Sequence, residues 1–260
     1  MSKSIQLKIE NKVAYITLNR PEVFNSFNRE MAFLLHDTLD ACEKNDDVRA
    51  IVLTGNGKAF CAGQDLKEVT DPELNPGFKK ILEEHYNPII TRLRAIKKPI
   101  ICAVNGVAAG AGANIALACD IVVAHEKVSF IQAFSLIGLV PDSAGTFFLP
   151  RLIGFQKATA LMMLGDKVGA EEAASLGMIY KSLPAESFEE DSYKIAAKLA
   201  KMPTKGLGLT KRALNLSMIS DLTTQLKTEE ELQTTAGKTH DYNEGVAAFL
   251  EKRKPVFKGE

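Results

Sequence analysis

Twenty consecutive residues, 100–119, carry no charged side chain, and this stretch constrains the fold more than any other part of the chain. A run of this length could cross a bilayer, and it contains the small-residue spacing Gly106-x-x-x-Gly110. Its composition argues against a membrane span, because alanine and glycine dominate and Asn105 and Asn114 interrupt it. The stretch therefore predicts a buried strand, a tight glycine-rich loop and a core helix.

Short apolar strand patterns alternate with helical patterns through the first two thirds of the chain. Strands are predicted at 4–10 and 13–19, which form a hairpin, and at 48–55, 98–105 and 120–126. Helical periodicity covers 28–45, 77–96 and 110–119. This alternation predicts an α/β fold with crossover connections.

The pattern changes after about residue 185, where only amphipathic helical segments follow. They cover residues 192–202, 203–218, 222–239 and 241–253. We therefore expect a core domain over 1–200 and a helical region over 201–260, with no disordered linker between them.

Composition excludes several classes of function. The 260 residues include 32 basic and 32 acidic side chains, so net charge indicates neither nucleic acid nor an anionic membrane as a partner. The cysteines lack metal-ligand spacing and predict reduced thiols in a cytoplasmic protein without a metal site: Cys42, Cys61, Cys102 and Cys119. The histidines lack a nucleophile or ligand partner in sequence, which favours packing or surface roles: His36, His85, His125 and His240.

Two glycine-rich loops each follow a predicted strand. In the first, residues 55–69, Gly63 allows close backbone approach and leaves the N–H of Gln64 free, although an ordinary strand-to-helix loop is the alternative. The second, residues 104–120, exposes N–H groups at a helix N-terminus, and it lacks the third glycine of a dinucleotide fingerprint. Together the loops could supply two backbone donors to one thioester oxygen, which stabilises an enolate.

Asp142 is the only charged residue between Lys127 and Arg151. Desolvation in these apolar surroundings would raise its pKa toward a value useful for accepting a proton from carbon. Because Asp142 follows Pro141 and precedes a helical pattern, its carboxylate could instead cap that helix.

Four segments in this order resemble the crotonase, or enoyl-CoA hydratase/isomerase, superfamily over essentially the whole chain: "AFCAGQDL", "VNGVAAGAGANIALACDI", "GLVPDSAGTFFLPRLIG" and "EEAASLGMI". The resemblance implies a crotonase-like spiral of ββα turns with a C-terminal helical trimerisation region. It implies a coenzyme A thioester whose carbonyl lies between the backbone N–H groups of Gln64 and Ala111. Glycine is usual at the second position, but only a backbone N–H is required there.

The same resemblance implies the rest of the binding site. Ala62, Asp65 and Leu66 would lie along the coenzyme A, although Leu66 could also be a core residue. Lys252 would approach the coenzyme A phosphates, or belong to a solvated basic face. Coenzyme A would enter as part of the substrate, so no separate cofactor is expected. The implied assembly is a homotrimer or a dimer of trimers.

The acidic positions distinguish between reactions within the superfamily. Hydratases that resemble crotonase use two glutamates, and those positions are Asn114 and Phe134 here, which disfavours simple hydration. Asp142 falls where some isomerases and the 4-chlorobenzoyl-CoA dehalogenase place an acid, but the chain lacks the tryptophan of the dehalogenase. Asn114 would orient the substrate or Asp142, or satisfy buried backbone groups.

The resemblance is strongest to CoA-ester isomerases, including those that act on ring-epoxidised phenylacetyl-CoA or on 3-enoyl-CoA. The chain departs from their usual "DSGGTW", reading "DSAGTF" at 142–147. A hydratase, hydrolase or dehalogenase of the same fold stays open as an enzymatic alternative. A non-enzymatic RNA-binding member stays open as an alternative of another class.

Overall fold

The computed structural model describes residues 3–260 as two packed β-sheets surrounded by helices. The strands are β1 Ile5–Glu10, β2 Val13–Leu18, β3 Ala50–Gly55, β4 Ala59–Cys61, β5 Ile100–Val104, β6 Val107–Ala109, β7 Ile121–His125, β8 Ser129–Ile131, β9 Lys167–Gly169 and β10 Lys181–Leu183. The helices are α1 Arg29–Lys44, α2 Leu66–Thr70, α3 Phe78–Ile81, α4 Asn87–Ala95, α5 Ala111–Leu117, α6 Gly145–Ile153, α7 Phe155–Leu164, α8 Ala170–Ser175, α9 Phe188–Ala200, α10 Thr204–Ser217, α11 Leu222–Ala236 and α12 His240–Leu250.

The larger sheet has six strands in the order β1-β2-β3-β5-β7-β10 and is parallel except for the predicted β1–β2 hairpin. Successive residues of β3 belong to two hydrophobic clusters, with Ile51 in one and Val52 in the other. Both faces of β3 are therefore covered, as expected for a central parallel strand. The predicted α/β class is confirmed.

The smaller sheet has four strands, each three residues long, in the order β4-β6-β8-β9. Sequence periodicity did not predict these strands, because three residues are too few to establish a two-residue alternation. Strand β4 lies within the first glycine-rich segment and β6 within the second, and the two strands pair, so this sheet brings the segments together.

The predicted helix over 77–96 is interrupted. Between α3 and α4 the chain forms one π-helical turn, Leu82–Tyr86, in which the hydrogen-bonding pattern admits an extra residue. The turn contains two fully buried side chains, His85 and Tyr86.

The helices from α9 onward correspond to the predicted C-terminal helical segments. Helix α9 begins at Phe188, earlier than its predicted start, and packs through Ala196 and Ala200 against the larger sheet. The division of the chain near residue 200 stays a prediction. Within residues 3–260, no helix is long and apolar enough to cross a membrane.

Candidate active site

A cavity of about 490 Å³ lies between the two glycine-rich loops, the helical segment 78–86 and the segment 133–142. Its wall is mainly apolar, with contributions from Val23, Leu66, Phe78, Ile81, Leu82, Ala133, Phe134, Leu136, Ile137 and Leu139. The lining residues with polar side chains are Ser26, Gln64, Tyr86 and Asp142. An apolar cavity with a few convergent polar groups is the usual form of a small-molecule site.

The first loop approaches the second closely at Gly63. Gly63 has φ +95°, and a β-carbon there would lie 3.2 Å from the Ala109 carbonyl oxygen and 3.5 Å from the Ala111 nitrogen. Phe27 fixes the loop from the other side, because its N–H donates to the Gly63 carbonyl (2.7 Å) and its carbonyl accepts from the Asp65 N–H (2.8 Å). Only glycine fits this backbone conformation without strain.

The backbone N–H groups of Gln64 and Ala111 both belong to cavity-lining residues. Ala111 is the first residue of α5, so its N–H has no partner within the helix. Across residues 3–260, neither amide donates a hydrogen bond to another protein group. Two free amides beside one cavity form an arrangement that can bind an oxyanion.

Asp142 carries the only carboxylate among the described residues that line the cavity. Its Oδ1 accepts a hydrogen bond from the Ser143 hydroxyl at 2.8 Å. Burial raises the pKa of Asp142 above its ordinary value, and the Ser143 hydrogen bond partly opposes this. Helix α6 begins at Gly145 without a side-chain cap, so the alternative in which Asp142 caps this helix is wrong.

Asn114 lies behind the cavity wall and is 1% exposed. Its Nδ2 donates to the backbone carbonyl of Asp142 (2.8 Å), and its Oδ1 accepts from Nε2 of buried Gln132 (2.8 Å). Asn114 therefore satisfies a backbone group and holds the main chain of Asp142 in place. Sequence reasoning missed Gln132, because a lone glutamine next to a short strand gives no local signal.

Of the other four predicted binding residues, two line the cavity and two do not. Ala62 and Leu66 line the cavity, and Leu66 is 62% exposed, which excludes a core position. Asp65 is buried beside the loop, where it pairs with Arg20 at 2.8 Å and accepts from the Lys67 N–H at the start of α2. Lys252 is exposed just after α12, and it is not among the described residues that line the cavity.

The cysteines and several histidines pack in the interior or against a neighbouring ring. All four cysteines are buried free thiols, and burial raises the pKa of Cys42 to about 11. His36 Nε2 donates to the His85 carbonyl at 2.9 Å inside the core, and His125 packs edge-on against Phe188. No group of three or more potential metal ligands occurs between residues 3 and 260.

Comparison with known proteins agrees with this fold and site. The profile of the family "Enoyl-CoA hydratase/isomerase" matches residues 8–260. The crystal structure of enoyl-CoA hydratase from Bacillus anthracis superposes with a TM-score of 0.91 at 33% identity, covering 99% of this chain and 100% of that one. The chain belongs to the enoyl-CoA hydratase/isomerase family, and its crotonase-type α/β fold with a C-terminal helical region is confirmed.

Two curated relatives match the chain along nearly its whole length. The 1,2-epoxyphenylacetyl-CoA isomerase of Escherichia coli (strain K12) is 45% identical over 262 residues, covering 100% of both chains. A Rhodobacter capsulatus protein named "Probable enoyl-CoA hydratase" is 43% identical over 98% of both chains. Sequence identity thus establishes the family. The relatives include both isomerases and hydratases, so identity does not distinguish between these two reactions.

Proposed function

We propose that this protein is an acyl-CoA isomerase in which Asp142 transfers the proton. The observation that carries the proposal is that Asp142 is the only carboxylate among the described residues around the cavity. One carboxylate is sufficient for moving a proton between two carbons of one substrate, because it returns the proton that it removed. The substrate would be 2-(1,2-epoxy-1,2-dihydrophenyl)acetyl-CoA or a 3-enoyl-CoA.

For a 3-enoyl-CoA the steps balance without a co-reactant. The Asp142 carboxylate removes a proton from C2, and the electron pair moves onto the thioester oxygen to form an enolate. The N–H groups of Gln64 and Ala111 hydrogen-bond this oxygen, which is where the negative charge develops. The protonated Asp142 then gives the proton to C4, the double bond moves into conjugation, and the carboxylate is regenerated.

The raised pKa of Asp142 supports this role, because a carboxylate that holds a proton more tightly is a stronger base toward carbon. Asn114 holds the Asp142 main chain and serves in the proposal as a positioning residue. Ala62 and Leu66 would contact the coenzyme A at the mouth of the cavity. Asp65 would support this surface through Arg20, and contact with Lys252 stays a prediction.

Hydration is the second candidate, because a curated relative and a similar solved structure are named hydratases. A hydratase that works with two carboxylates would need a second one in the cavity. Phe134 lies in the wall at one of the two positions concerned, and the amide of Asn114 lies behind the wall at the other. Neither side chain can exchange a proton with water as a carboxylate does.

The deciding experiment compares the wild type with Asp142→Asn on a 3-enoyl-CoA. We expect the wild type to produce a conjugated 2-enoyl thioester of unchanged mass, detected by ultraviolet absorbance and mass spectrometry. Asparagine cannot accept the proton, so the rate should fall by about 10²–10⁴-fold.

Asp37→Asn is the matched control, because Asp37 is an exposed aspartate on α1 that does not line the cavity. It should retain the wild-type rate. A product that has gained water would favour hydration, and release of free coenzyme A would favour a hydrolase. Equal rates in the wild type and Asp142→Asn would refute the role of Asp142.

We also propose a homotrimer or dimer of trimers in the cytoplasm. Large apolar side chains are exposed on the C-terminal helices, including Leu214, Leu222, Leu226, Phe249 and Leu250. Clusters of exposed apolar side chains are typical of protein interfaces.

A further inference from the structure

Tyr86 forms part of the cavity wall at the end of the π-helical turn. Its side chain is 1% exposed, and its ring packs edge-on against Phe27 with the ring centroids 6.0 Å apart. Phe27 is the residue whose backbone bonds both neighbours of Gln64. Burial raises the pKa of the Tyr86 phenol well above its ordinary value, so the hydroxyl stays a hydrogen-bond donor at neutral pH.

The hydroxyl of Tyr86 donates to Oε1 of Gln64 at 2.9 Å. At the other end of the same amide, Nε2 of Gln64 donates to Oε2 of Glu68 at 2.7 Å. Glu68 is itself buried and fixed, because its Oε1 accepts from the backbone N–H of Arg29 at 2.7 Å. Both ends of the Gln64 side chain are therefore held by groups from other elements.

An oxyanion donor at this position requires only the backbone N–H of Gln64, so the side chain has no direct part in the chemistry. Its two hydrogen bonds nevertheless help to hold the Cα of Gln64 in place, and the bond from the Phe27 N–H to the Gly63 carbonyl holds the other end of the peptide unit that carries the Gln64 N–H. The direction of an oxyanion donor matters, because removing one such donor typically costs about 10²–10³-fold in kcat. A small misalignment loses part of the same stabilisation.

We propose that Tyr86 is a positioning residue of the oxyanion hole, which acts through the Gln64 side chain to fix the direction of the Gln64 N–H. The inference rests on the proposed acyl-CoA function and adds to it a residue outside the proton-transfer and oxyanion groups. The π-helical turn ends at Tyr86 and places its hydroxyl next to the Gln64 side chain. The proposed positioning role would therefore explain why the helix is irregular here.

The test uses Tyr86→Phe, which removes only the hydroxyl group. Cinnamoyl-CoA is the optical probe, because hydrogen bonds to the carbonyl of a conjugated thioester polarise it and move its absorbance to longer wavelength. Wild-type protein should shift the absorbance of the bound probe, and Tyr86→Phe should give a smaller shift at saturation. With the 3-enoyl-CoA substrate, kcat should fall about tenfold while KM stays within about twofold, since the donor acts mainly in the transition state.

Gln64→Leu provides a second route to the same result and covers the case in which Tyr86→Phe folds poorly. It removes the acceptor for Tyr86 and retains the backbone N–H. Adding Tyr86→Phe to Gln64→Leu should cause no further loss, because both changes remove one coupled unit. Tyr193→Phe on α9 is the matched control and should behave as the wild type in both assays.

The outcomes separate the inference from the proposed function. If wild-type protein neither shifts cinnamoyl-CoA nor isomerises the 3-enoyl-CoA, the acyl-CoA function fails and the inference fails with it. If the wild type shifts the probe but folded Tyr86→Phe retains the full shift and kcat, the inference alone is overturned. Additive losses in the double variant would also overturn it, because Tyr86 would then act independently of Gln64.

Discussion

At the scale of single residues, the proposed reaction depends on the proton affinity of one carboxylate. Burial raises the pKa of Asp142, and the hydroxyl of Ser143 lowers it again by donating to the ionised form. The proposed base must be ionised to accept a proton from carbon. Activity should therefore rise with pH as Asp142 ionises, and this rise should lie above the ordinary range of an aspartate.

Ser143→Ala should move this acidic limb of the kcat/KM profile to higher pH. Without the hydroxyl, the ionised carboxylate loses a hydrogen bond while the desolvation remains, so the pKa of Asp142 rises further. The measurement is kcat/KM for the 3-enoyl-CoA as a function of pH. Ser217→Ala, at an exposed serine of α10, should leave the limb in place. If the pH at which kcat/KM rises is unchanged or lower in Ser143→Ala, the rise does not report the ionisation of Asp142.

At the scale of elements, the turn between Asp142 and α6 is strained. Ser143 and Ala144 have φ of +51° and +59°, although neither is glycine. The left-handed region costs an alanine about 1–2 kcal/mol. At Ala144 the chain has alanine where the isomerases it resembles usually have glycine, and the backbone still keeps the conformation that glycine would favour.

Ala144→Gly should raise the free energy of unfolding by up to about 1 kcal/mol, because it relieves this strain and loses only one half-buried methyl group. The measurement is urea unfolding at equilibrium. Ala197→Gly in the middle of α9 is the control with the opposite sign, and it should lower stability by about 1 kcal/mol. Destabilisation by both substitutions would mean that the Ala144 turn is not strained.

At the scale of the whole molecule, hydrogen bonds from a buried arginine hold the C-terminal helical region against the core. The guanidinium of Arg49 donates to the Thr204 hydroxyl (2.9 Å) and to the carbonyls of Met202 (2.5 Å) and Phe257 (2.8 Å). Arg49 comes just before β3, so the central sheet anchors both ends of the C-terminal region. Large apolar side chains of α10–α12 are exposed, among them Leu214, Leu226 and Phe249.

The proposed homotrimer or dimer of trimers predicts that native mass spectrometry finds three or six copies. Leu226→Glu on α11 should reduce this number, because it would place an unpaired charge in an apolar interface. Leu7→Glu on β1 changes an exposed leucine outside the C-terminal region and should leave the assembly intact. A single copy in the wild type, or an unchanged assembly in Leu226→Glu, would refute the proposed interface.

The sequence by itself indicated the family through four motif segments. It also determined five of the six strands of the larger sheet, α1 and the C-terminal helices, because these depend on hydrophobic patterns long enough to recognise. It also indicated the glycine-rich loops and Asp142, since glycine and an isolated charge stand out locally. Only the tertiary structure identified the three-residue strands β4, β6, β8, β9 and β10, the hydrogen bonds by which Asn114 and Gln132 support Asp142, and the hydrogen bond from Tyr86 to Gln64. These features join residues that are distant along the chain and depend on distances and directions, which a linear pattern does not contain.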